Sequence, residues 1–76
     1  MDRGNAQWQR DLFESLRRDT TLLLQSDQPE SACEMAQRLD AQARLLAERF
    51  PQDPQRDGYQ RDARRLLARA CGPGAA

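Results

Sequence analysis

SDQPESACEMAQRLDAQARLLAERFP, residues 26–51, is the stretch on which the fold turns. Within it Ala32, Ala36, Leu39, Ala43, Leu46 and Phe50 recur at successive gaps of 4, 3, 4, 3 and 4. A helix turns about 100° per residue, so this spacing stacks all six on one face. The 3,4 alternation held over nearly three heptads is a seam for neighbouring helices, and its alanines let a neighbour approach closely. Asp27 followed by Glu30 has the pattern of a capping box, with Pro29 in the first turn where proline is tolerated. Pro51 closes the segment. The spacing predicts a helix over about residues 28–50.

Working outward, residues 5–25 carry Phe13, Leu16, Leu23 and Leu24 at helical spacing, with Thr20 on the same face and Trp8 and Leu12 extending it toward the N-terminus. The polar run Gln25 to Gln28 ends this helix before Pro29. Downstream, Asp53 before Pro54 is an N-cap followed by proline at the first helical position, and predicts a third helix over about 54–71. Its face is Tyr59, Ala63, Leu66 and Ala70. Gly58 weakens its first turn, which would bring the regular start nearer Tyr59. Gly72, Pro73 and Gly74 stop it, leaving 72–76 as a flexible tail. Trp8, Phe13 and Tyr59 are the bulky side chains available to fill the space opposite the alanines.

Short connections favour antiparallel neighbours. The fold class expected is therefore all-α, a small three-helix bundle forming a single domain over residues 1–76. Its main competitor is a helical hairpin that dimerises. At 76 residues the core is thin, in the range where a covalent link or a partner chain often supplements burial. Composition agrees on helix: valine and isoleucine are absent, and Ala, Leu, Arg, Gln and Glu dominate.

Several function classes lose their parts. The chain has no histidine and no lysine, which removes the usual general base, the commonest metal ligand and the Schiff-base amine. Glu30 and Glu34, or Asp11 and Glu14, share helix faces where carboxylates ordinarily favour the helix dipole or pair with arginine. The glycines form no phosphate loop. No catalytic residue, cofactor or metal is expected, and the chain is read as not an enzyme. Twelve arginines balance twelve acids, so no field that captures nucleic acid in bulk is expected. Exclusive use of arginine suggests a coding bias of the kind found in bacteria of high GC content. The longest strongly apolar run is Leu22 to Leu24 and charges punctuate residues 1–25, so neither a membrane span nor a secretory signal is expected and the cytoplasm is the default location.

What remains is surplus apolar surface and an arginine ridge. Three consecutive leucines cannot all face one neighbour, and Leu22 points 100° or more from the core face. Leu45 and Leu67 lie beside the faces of their own helices. These leucines either complete a wide core or, with Trp8 and Leu12, stay partly exposed and receive a partner helix. Arg61, Arg65 and Arg69 are spaced by four with Arg64 beside them, a ridge that is either a solvated face or a site for an acidic protein or a nucleic-acid backbone. Cys33 and Cys71 each stand 19 residues from Gln52, so antiparallel pairing about that loop brings them to one end of the molecule, where they are either a disulfide or two small buried thiols.

The first reading is a bacterial protein-binding adaptor, chaperone or inhibitor, with Trp8, Leu12, Leu22, Leu45, Leu67, Arg61, Arg64, Arg65 and Arg69 as candidate contacts. In size and helix layout alone it looks like the small helical chaperones of bacterial secretion systems, a likeness that rests on no motif. The alternatives are a nucleic-acid-associated regulator using the arginine ridge and a self-associating homodimer closed by the leucines.

Overall fold

A computed structural model describes residues 2–72, with side chains described from Ala6 onward. It is a three-helix bundle of 39 × 20 × 14 Å. The helices are α1 (Asp2–Gln25), α2 (Pro29–Arg49) and α3 (Arg56–Cys71). The flexible tail expected over 72–76 lies outside the described residues beyond Gly72. Helix α2 packs against both neighbours, whereas α1 and α3 meet only slightly.

The faces of α2 and α3 follow the spacing of their apolar residues. Ala32, Ala36, Leu39, Ala43 and Leu46 are buried, with Phe50 packed against them, and so are Tyr59, Ala63, Leu66 and Ala70. They divide into two clusters. Phe13, Leu39, Leu46, Tyr59 and Leu66 form the larger one with Ala43 and Ala63, and the rings of Phe13 and Tyr59 meet at 4.8 Å with a 50° tilt. At the other end Ala32, Ala36 and Ala70 are buried, flanked by the half-buried Leu23, Leu24, Cys33 and Leu67. There Cys33 and Cys71 are joined in a disulfide, their Cα atoms 4.7 Å apart.

Helix α1 departs from its expected face. Phe13 and Thr20 are buried, Leu16, Leu23 and Leu24 are half-buried, but Trp8 is 60% exposed and does not pack in the core. Five residues separate it from Phe13, which places it about 140° around the helix. The slot four residues before Phe13 belongs to Gln9, which accepts hydrogen bonds from the buried Gln42 amide at its carbonyl (3.0 Å) and at Oε1 (2.7 Å). Thr20 donates its hydroxyl to the Leu16 carbonyl at 2.7 Å, so this buried polar group is also satisfied.

Both loops differ from the expected caps. Asp27 caps nothing: it adopts φ 57°, its N–H donates to the Leu24 carbonyl, and that of Gln28 donates to Leu23. This pattern of a left-handed residue closing two crossed bonds is a Schellman ending for α1. Gln28 then occupies the N-cap of α2 without a side-chain bond, so the capping box does not form. The second loop turns on Asp53. Its Oδ1 accepts the Gln55 N–H at 2.9 Å, its carbonyl accepts that of Arg56, and its Oδ2 pairs with Arg10 at 3.1 Å. The helix proper starts at Arg56, two residues after Pro54, and it carries Gly58 inside its first turn.

Candidate docking surface

Since α1 and α3 scarcely touch, a furrow runs between them. Leu22 and Thr21 of α1 and Leu66 of α3 line it, together with Arg17, Arg18 and Arg65 and with Glu14 and Asp62. This stretch encloses about 480 Å³. A second hollow of about 510 Å³ continues it past Arg17 to Tyr59, Arg61 and Pro54. Between the two, Arg17 spans from helix to helix, bonded to Glu14 on its own helix and to Asp62 on α3 at 3.5 Å. Exposed pairs of this kind contribute little to stability, but they fix where a partner's charges can sit.

Leu22 is 52% exposed, a large apolar side chain left facing water. The cause is local: it lies about 200° from the buried Thr20, while the crossed bonds that end α1 hold Leu22 to Leu24 in the last helical turns. The neighbouring arginines differ in their partners. Arg10, Arg17, Arg44 and Arg56 are in ion pairs, while Arg18, Arg61 and Arg65 have no carboxylate within ion-pairing distance among the described residues. The furrow therefore offers apolar lining beside uncommitted guanidinium groups.

The candidate residues do not form one strip. Leu22 and Arg65 share the furrow, and Arg61 lines its continuation. Leu12 and Leu45 lie on another side of α1, where with Leu16, Arg38, Ala41 and Gln42 they line a shallow hollow of about 420 Å³ between α1 and α2. Leu67 packs against the alanine cluster instead. Arg64 and Arg69 are exposed, and Trp8 projects from the first half of α1. The disulfide joins the two remaining candidates, Cys33 and Cys71.

Arg17, Arg18 and Leu66 complete the furrow without having been candidates. The spacing of Arg18 and Leu22 by four was a usable local signal, but the reach of Arg17 to Asp62 across two helices was not. Among the described residues one titration is perturbed. Burial raises the Tyr59 hydroxyl above its usual range, Asp53 and Glu14 add to this, and Arg10 opposes it. The group thus stays protonated at neutral pH and donates to Gln55 Oε1 at 2.9 Å, fixing the ring beside the furrow. Among the described residues no three metal-ligating side chains gather, and no helix is long and apolar enough to cross a membrane. Set against protein-family models, curated proteins and solved structures, the chain matches none of them.

Proposed function

We propose that this chain is a non-enzymatic interaction module, an adaptor, chaperone or inhibitor, that receives an acidic amphipathic helix of another protein in the furrow between α1 and α3. The observation that carries the reading is Leu22, half-exposed between Arg18 and Arg65, neither of which pairs with a carboxylate among the described residues. Apolar anchors on a partner would bury Leu22 and Leu66, and carboxylates flanking them would take charge-assisted bonds from the two guanidinium groups. A nucleic-acid backbone could use the arginines but has no use for the two leucines. The proposed location is the cytoplasm, where the Cys33–Cys71 bond meets a reducing thiol pool.

The test is titration of a helical peptide bearing leucines three and four residues apart with flanking glutamates, beside the same peptide with lysines at those flanks. The expected result is binding of the acidic peptide at least about tenfold tighter, a preference that weakens with added salt. Leu22→Asp and Arg65→Glu should each lower its affinity about tenfold or more while leaving the helical content unchanged. Equal affinity for both peptides overturns the assignment, as does tighter binding of duplex DNA. Sedimentation as a dimer that Leu22→Asp dissolves would move the surface to self-association.

A further inference from the structure

The disulfide plays no part in that docking surface, and its surroundings set it apart. Around it the buried apolar side chains are Ala32, Ala36 and Ala70, each contributing a single methyl to the core. The larger residues there, Leu23, Leu24 and Leu67, are only half-buried. Cys71 is the last residue of α3, the position where a helix frays most readily, and α1 gives that helix little support. Both cysteines are themselves half-buried, so a small thiol can reach the bond from solvent.

We propose that Cys33–Cys71 is a redox lock on the C-terminal part of α3. A dithiol reductant opens it in two steps. One thiolate attacks a cysteine sulfur, the S–S bond breaks and a mixed disulfide forms. The second thiol then displaces the remaining cysteine, so that the protein gains two electrons and two protons as two thiols and the reductant leaves as a disulfide. With the bond open, the turn from Leu67 to Cys71 is held to α2 only by small alanines and the half-buried Leu67, and it separates from α2. Leu23 and Leu67 become more exposed, while Leu24 loses its contacts to this end and keeps those to the larger cluster. The Phe13–Tyr59 cluster stays packed, because its contacts do not pass through the bond. The inference concerns the response of the chain to thiols and is independent of what occupies the furrow.

Amide hydrogen exchange on the full chain, oxidised and then reduced with dithiothreitol, tests it. In the reduced protein the amides of Ala68 to Cys71 and of Cys33 to Gln37 should exchange about tenfold faster or more, while those of Leu39 to Leu46 and of Ala63 change much less. The double substitution Cys33→Ser, Cys71→Ser should reproduce the reduced pattern without reductant. Equal acceleration at every protected amide overturns the lock, because the bond would then support the whole fold uniformly. No acceleration overturns it as well, because packing alone would hold the end. Two titratable thiols in the air-oxidised protein would remove its premise.

Discussion

The two ends of this bundle solve the same problem with different means. At one end Phe13, Tyr59, Leu39 and Leu46 interlock, a buried glutamine is bonded across helices, and Asp53 ties the loop back to Arg10. At the other, three alanines and a disulfide bring α2 and α3 together, and the leucines of α1 lie half-buried over them. The first end is held by apolar area removed from water, the second by chain connectivity that restricts the unfolded state. A thin core thus needs its covalent link where its side chains are smallest. The difference also locates the exposed leucine: Leu22 projects from the last turns of α1 near the alanine end.

The largest effect that could break this comparison is truncation of the aromatic end. Phe13→Ala empties a fully buried site and is expected to cost about 3–5 kcal/mol, measured by urea denaturation of the oxidised protein. Leu23→Ala at the disulfide end removes a half-buried side chain and should cost clearly less. Equal losses would mean that area burial is shared evenly and that the two ends do not differ in kind.

A second substitution sharpens the account of the alanine end. Ala36 is fully buried where helices approach closely enough for the cysteine bond. Ala36→Leu forces added volume into that contact and should destabilise by about 1–3 kcal/mol. It should also make the disulfide easier to reduce, read as the dithiothreitol concentration at which half of the protein is reduced. Unchanged stability would show slack between the helices and weaken the claim that small residues are required there.

How far the fold was legible follows from what helical periodicity can register. The faces of α2 and α3 could be read residue by residue because every core position in them except Gln42 is apolar. On α1 a polar residue, Gln9, takes a core-facing slot, and Trp8 beside it attracts the eye to the wrong flank. Gln9 and Gln42 are 33 residues apart and satisfy one another, a pairing that no local pattern encodes. The same limit applies to the docking surface. Leu22 was identifiable from the angular step of a helix, and Arg61 and Arg65 from their spacing. The separation of Leu12 and Leu45 onto another side, and the packing of the half-buried Leu67 against the alanine cluster, depended on how three helices pack. The spacing of the cysteines about Gln52 left two outcomes open, and tertiary proximity decided between them.

The smallest expected effects concern one local misfit at each end. Near the disulfide, Asp27 holds the left-handed conformation that ends α1, with φ at 57°. A non-glycine residue is disfavoured there, though aspartate less than most. Near the aromatic cluster, Gly58 sits within the first turn of α3 without a positive φ, and a Cβ added to it meets nothing within 4 Å. Each position therefore carries the residue suited to the other. Asp27→Gly relieves the backbone but gives the unfolded chain more freedom, so its net gain should be a few tenths of a kcal/mol, up to about 0.5. Gly58→Ala restricts the unfolded chain at no steric cost and should stabilise by about 0.5–1 kcal/mol. The sites lie at opposite ends and share no contact, so the double variant should show the sum of the two shifts in urea midpoint. A shortfall in the double variant would mean that the two ends are energetically coupled, against a picture in which burial secures one and a covalent bond the other.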